Sequence, residues 1–226
     1  MDKALRLQYL KALGIESWVL AEPQTQDFEP QVADDAQTED SSAVWAQLQS
    51  EVAQCQRCGL CQSRKNTVFG AGNQQADWML IGEAPGQSED EQGLPFVGNA
   101  GLLLTEMLRA IGLSREQVFI ANILKCRPPG NRDPKLEEIA ACQDYLQRQI
   151  GLVQPKIILA VGRIAAQTLL ASEQPLARLR GKVHELDAIP LIVVYHPAYL
   201  LRSLIEKRKA WQDLQLALKT YQIGNN

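Results

Sequence analysis

Trp78-Met79-Leu80-Ile81-Gly82 runs directly into Glu83-Ala84-Pro85-Gly86. An uncharged run of this length, stopped by a Gly/Pro turn, has the character of a β-strand buried on both faces. Three similar runs follow at wide intervals, at residues 118–124 (VFIANIL), 156–162 (KIILAVG) and 191–195 (LIVVY). Between or after them, residues 99–111, 136–152, 163–170 and 204–221 carry apolar side chains at helical spacing. Short apolar strands alternating with helices predict an α/β fold: three layers, α/β/α, with a central, mainly parallel four-stranded sheet. In open sheets of this kind ligands bind beyond the carboxyl ends of the strands. There the first strand delivers Gly82, Glu83 and Ala84, the second Asn122 and then Lys125-Cys126-Arg127, and the fourth His196-Pro197. A carboxylate, an amide and an imidazole are therefore expected on one rim, and that rim is the expected pocket.

Upstream of the first strand the chain changes character. Residues 1–20 (MDKALRLQYLKALGIESWVL) place Leu5, Tyr9, Leu10 and Leu13 at helical spacing before Gly14, which predicts a short amphipathic helix. Residues 21–41, with Pro23, Pro30, many Gln and several acids, have no periodicity and read as a disordered acidic linker. A helix is expected to resume near Ser42, with Val44, Trp45, Leu48 and Val52 on one face, opening a domain that extends to residue 222. The whole chain of 226 residues has a formal charge of −3, but residues 12–56 hold nine acids and no Lys or Arg, which leaves residues 57–226 at +4. That balance excludes a protein that coats nucleic acid by charge alone, while leaving a polyanion partner open. No apolar run approaches the roughly 18 residues of a membrane span. Asp2, Lys3, Arg6 and Lys11 break up the N-terminal apolar residues. A cytoplasmic protein without a membrane partner is expected.

Cys55, Cys58, Cys61, Cys126 and Cys142 make an odd set. A C-x2-C at the end of a helix in such a chain is more often a metal site than a disulfide. Buried apolar thiols are the plainer alternative, which suits Cys142 on its helix better than a triple at three-residue spacing. Thiolates suit zinc or an iron–sulfur cluster equally by ligand type. Spacing alone leaves the 55/58/61 triple open, and any site that recruits Cys126 or Cys142 ties the N-terminal helix to the body of the domain.

Taken together, GEAPG (82–86), GLPFVGNAG (93–101), NILKCRPPGNRDP (122–134), the cysteine pair at 55 and 58, and HPAYLLR (196–202) resemble the family 4 uracil-DNA glycosylases, the iron–sulfur branch of their superfamily, over about residues 45–220. The resemblance implies an enzyme that hydrolyses the N-glycosidic bond of uracil in DNA, leaving an abasic site as the first step of base excision repair. It implies a structural 4Fe-4S cluster on Cys55, Cys58, Cys126 and Cys142, with zinc as the alternative occupant and Cys61 left over. Asn122 matches the asparagine that reads uracil, since a carboxamide both accepts from N3–H and donates to O4, and cytosine presents the opposite pattern. Phe96 matches the aromatic that stacks on the everted base. A core position is the commoner fate of phenylalanine, but Pro95 and Gly98 put this one in a loop. His196 matches the donor to uracil O2, where charge collects as the base departs. Glu83, flanked by Gly82 and Ala84, matches the position that orients water and supports the cationic sugar.

DNA contacts are expected from Arg127, Arg132, Arg180, Lys182 and Arg202, with Leu200 or Leu201 as the wedge that fills the gap left by the base. Solvated surface charge is the plainer reading of any single Lys or Arg, and Lys207, Arg208 and Lys209 read that way. No lysine stands beside these motifs in a Schiff-base position, so lyase activity is not expected. A relative trapped covalently on DNA carries an Arg-rich insertion ending in His, and RGKVH (180–184) lacks it. From another class, a metal-stabilised DNA-binding relative that has lost catalysis is opposed by the intact Glu83, Phe96, Asn122 and His196. A monomer associated with the bacterial nucleoid is expected. Residues 6–20 resemble the N-terminal peptide of the psi subunit of bacterial DNA polymerase III, which implies recruitment to the clamp-loader complex by residues 1–20.

Overall fold

The four apolar runs form parallel strands, as their lack of a polar face requires. The structure is a computed structural model and describes residues 35–224. Among them, six strands make one sheet: β1 (Ala71–Gly72), β2 (Trp78–Gly82), β3 (Phe119–Asn122), β4 (Ile157–Val161), β5 (Val183–Leu186) and β6 (Ile189–Val194), in the order β1-β3-β2-β4-β6-β5. The central four are mutually parallel. The expected four-stranded sheet is thus present, widened by β1 and β5, each antiparallel to its neighbour. β1 is too short to show a pattern. β5 (VHEL) alternates exposed and half-buried residues, as an edge strand does.

Alternate strand residues point to opposite faces, and both faces are covered. Trp78, Leu80, Ile120, Leu159 and Ile192 pack with Leu104 and Leu108 of α3 (Asn99–Ala110) and Leu214 and Ala217 of the last helix (Lys207–Gly224). On the other face Met79, Ile81, Phe119, Ile158 and Val193 meet Trp45 of α1 (Asp35–Ala53), Leu146 of α4 (Leu136–Val153) and Ala165 and Ala166 of α5 (Arg163–Leu169). Each such side chain contributes about 1.5–3 kcal/mol when fully buried. The remaining helices are short: α2 (Gln87–Gln92), α6 (Leu176–Leu179) and α7 (Pro197–Arg202), with the last helix as α8.

The helix expected near Ser42 begins at Asp35. Its apolar face packs as its spacing implies: Trp45 lies against Phe69 and Phe119, and Leu48 and Val52 meet Tyr145 of α4. A bidentate ion pair from Arg148 to Glu51 adds a second tie between α1 and α4. This docking carries the end of α1, and with it Cys55 and Cys58, against the helix that bears Cys142. The amphipathic helix read over residues 1–20 and most of the linker lie outside the described residues. No described helix is long and apolar enough to cross a membrane.

Candidate active site and cysteine-lined cavity

A cleft of ≈ 620 Å³ opens at the carboxyl ends of the four parallel strands, lined by Glu83 and Ala84 after β2, Asn122 at the end of β3, Gly162 after β4, and Tyr195 and His196 after β6. The residues expected on one rim therefore share one cleft, and Phe96 joins them from the loop between α2 and α3. Gly82 pairs in register with Asn122. A Cβ at Gly82 would stand 2.4 Å from Asn122 Oδ1 and 2.6 Å from Phe96 Cζ, so only glycine lets the amide and the ring close in on the strand end. Asn122 is 2 % exposed and its Oδ1 is buried with no hydrogen-bond partner. Such an orphaned acceptor costs about 1–3 kcal/mol, a cost that a ligand donor at that point removes.

His196 stands at the N-cap of α7, where its Nδ1 accepts the Ala198 N–H at 3.1 Å. That bond leaves the proton on Nε2, making the ring a neutral donor. Burial, reinforced by the Arg202 cation, pushes its pKa down to about 4 against a pull from Glu89 in the other direction. The Phe96 and His196 rings lie 5.7 Å apart, inclined by 32°. Glu83 is half-buried. Burial, and then the Asp133 carboxylate, raise its pKa, while the Arg163 guanidinium acts the other way.

Two residues of this site carry no motif that sequence reading could use. Glu89, on α2, lines the cleft and accepts the N–H groups of Val97 and Gly98 at 2.9 and 3.0 Å, fixing the start of α3. Arg115 donates to the carbonyls of Pro95 and Phe96 at 2.7 and 3.0 Å. Together they hold Phe96 in a left-handed backbone conformation, φ 53°, which a bulky residue rarely adopts.

Several expected DNA contacts are placed differently. Leu200 is 1 % exposed and belongs to the core, whereas Leu201 is 43 % exposed, so the wedge reading passes to Leu201. Arg180 is occupied internally: it pairs with the buried Asp213, donates to the Lys209 carbonyl and covers the Tyr195 ring. That correction removes it from the phosphate-binding set. Arg132 is engaged by both oxygens of Glu138, and Arg127 by Asn131, at the same side of the cleft. Arg202 lines the cleft itself, and Lys182 is exposed on the turn before β5. His184 donates Nε2–H to the Leu179 carbonyl at 2.6 Å, away from the cleft.

A second, narrow cavity lies behind the end of β3, lined by Cys55, Cys58, Cys126 and Cys142 together with Arg64, Lys125 and Tyr145. Cys61, in the short turn of helix at Gly59–Gln62, is not part of its lining. Arg64 donates to Cys126 Sγ at 3.2 Å. Among the described residues no three His, Cys, Asp or Glu side chains converge tightly enough to grip a single metal ion. A zinc ion would need four sulfurs each about 2.3 Å from one centre. Four thiols on one narrow cavity, with Arg64 and Lys125 beside them, are a donor set that suits zinc or an iron–sulfur cluster.

The sequence profile of the uracil DNA glycosylase superfamily matches residues 69–215. A type-4 uracil-DNA glycosylase of Archaeoglobus fulgidus is 46 % identical over 67 % of this chain and 80 % of its own length. Those of Saccharolobus solfataricus and Sulfurisphaera tokodaii are 47 % and 42 % identical, over 68 % and 78 % of this chain and 76 % and 87 % of theirs. The extent of these matches, together with a cleft assembled at the strand ends, shows that the chain belongs to the uracil DNA glycosylase superfamily and, within it, to the type-4 family.

Proposed function

We propose that the cleft is where this DNA-repair glycosylase takes up an everted uracil and hydrolyses its bond to deoxyribose. The observation that carries the reading is the orphaned Oδ1 of Asn122, buried beside Gly82 and Phe96. In this reading Oδ1 accepts uracil N3–H while Nδ2 donates to O4. Cytosine, lacking the N3 proton and carrying a donor at C4, would meet both unpaired. Phe96 stacks on the ring. The bond from N1 to the sugar C1′ breaks with its electrons passing to the base, and the neutral His196 donates Nε2–H to O2, where the charge gathers. Glu83 orients a water for attack at C1′ and offsets the positive charge of the oxocarbenium-like sugar. The products are free uracil and an abasic site. Arg127, Arg132, Lys182 and Arg202 are proposed to hold phosphates, and Leu201 to fill the gap in the stack.

Cys55, Cys58, Cys126 and Cys142 are proposed to hold a 4Fe-4S cluster, in keeping with four thiols on one cavity beside Arg64 and Lys125 and with the absence of Cys61 from its lining. When bound, the cluster supplies a cross-link between the end of α1, the segment after β3 and α4. No electron transfer is needed for hydrolysis. Residues 1–20 are proposed as a recruitment segment for the replication machinery, tested by a pull-down in which deletion of residues 1–25 abolishes capture of the clamp-loader complex.

The deciding experiment for the cleft is release of free uracil from a uracil-containing oligonucleotide. Asn122→Ala and His196→Ala are expected to fall by on the order of 10²–10³ in single-turnover rate, as loss of a preplaced donor does elsewhere. Full rates in both variants would sink the reading.

A further inference from the structure

Lys125 is 1 % exposed, a depth at which lysine is seldom found without an ionic partner. Its ammonium donates to the main-chain carbonyl of Asn122 at 2.8 Å and to Gln149 Oε1 at 2.6 Å. Gln149, wholly buried, donates in turn to the Phe69 carbonyl at 2.8 Å. Both acceptors are neutral, so they meet two of the three ammonium donors and neither supplies a counter-charge. The rest of the residue turns to the cysteines: it lines their cavity and directly precedes Cys126. Its carbonyl accepts the Val68 N–H at 2.8 Å, which closes the segment on its other side.

The same five residues, Asn122 to Cys126, begin at the amide in the cleft and end at a cysteine of the cavity. Between them the N–H groups of Ile123 and Leu124 are bonded to the carbonyls of Gly82 and Glu83, at 2.9 and 3.0 Å. A displacement of Lys125 therefore moves the base-reading amide and also the strand end that carries the carboxylate.

We propose that Lys125 is a positioning residue that couples the two sites, joined to Cys126 through its main chain and fixing the Asn122 carbonyl through its side chain. Lys125 thus faces the cysteine cavity on one side and holds the floor of the cleft on the other. A cluster in a hydrolytic enzyme then acts on base recognition through this single side chain, without taking part in the chemistry. The inference rests on Asn122 being the amide that reads the base.

The test compares Lys125→Met with the unaltered holoprotein in three measurements: iron per chain, inhibition of cleavage by free uracil, and affinity for abasic-site DNA. Lys125→Met is expected to retain iron and abasic-DNA affinity and to weaken uracil inhibition by roughly tenfold or more, the loss of a charge-assisted hydrogen bond. Lys125→Arg, which keeps charge and donors, is expected to restore part of that inhibition, which a purely structural defect would not show. Should the methionine variant fail to fold, Lys125→Gln, uncharged and too short to reach the Asn122 carbonyl, takes its place with the same expected weakening. Unchanged uracil inhibition in a variant that holds iron would overturn the coupling, provided Asn122→Ala abolishes inhibition in the same assay. If Asn122→Ala leaves inhibition intact, the reading of Asn122 fails first and this inference goes with it.

Discussion

The guanidinium of Arg115 spans the carbonyl oxygens of Pro95 and Phe96 and so holds the aromatic ring of the cleft from behind its own backbone. A planar fork matches two neighbouring acceptors in a way that a lysine ammonium does not. Arg115→Lys is therefore expected to keep the fold and weaken uracil inhibition by about tenfold, since a shorter, single-centred ammonium cannot reproduce the paired geometry of the two bonds. Abasic-DNA affinity should be unchanged. Equal inhibition in the two proteins would show that Gly101, which abuts the Phe96 carbonyl, holds the loop by itself.

Gly82→Ala puts a methyl group into a gap that the amide of Asn122 and the ring of Phe96 have already closed. Both must retreat, and a misplacement of about 1 Å can cost on the order of a hundredfold in rate. The strand itself tolerates alanine, so circular dichroism and melting temperature are expected to move little while uracil release collapses.

With a pKa of about 4 in the folded chain against an ordinary 6.5, the His196 ring is neutral where the unfolded chain already binds a proton. Folding then releases that proton, and stability falls as pH drops from about 6.5 toward 4, levelling off below. His196→Gln should flatten this part of the stability–pH curve. A titration of the ring by NMR with a midpoint near 6.5 would contradict the buried, neutral donor.

Glu83 supplies the opposite sign. Its carboxyl is raised above the usual 4.5 by burial, so the ionised form needed to orient water is lost as pH falls through that higher value. The single-turnover rate is expected to show an acid limb above the ordinary carboxylate range. Glu83→Gln should lower the rate at every pH and remove the limb. A limb that survives the substitution would belong to another group.

Cys126→Ala and Cys61→Ala separate the two readings of the cysteines. Loss of iron and a lower melting temperature are expected for the first, with neither change for the second. Iron lost from Cys61→Ala and kept in Cys126→Ala would return the triple at 55, 58 and 61 to consideration.

The sheet was legible because its central strands are buried on both faces and so lack polar residues, while Asn122 and His196 stood out as polar groups at strand ends. Residues that act on main-chain atoms left no trace of that kind. Glu89 and Arg115 serve N–H and C=O groups of a loop, and neither appears in a pattern of side chains. Leu200 and Leu201 are chemically identical, and only the turn of α7 decides which enters the core. Arg180 looked like a free cation because its partner, Asp213, sits in the last helix, 33 residues away.

Asn122 ends β3 and His196 stands two residues beyond β6, with β2 and β4 between those strands. Three inter-strand spacings of about 4.8 Å set the two strands roughly 14 Å apart. Hydrogen bonding between strands makes this gauge stiff. The aperture left for a nucleobase is then a matter of how far each side chain reaches inward, and a purine-sized opening calls for shorter arms instead of a wider frame.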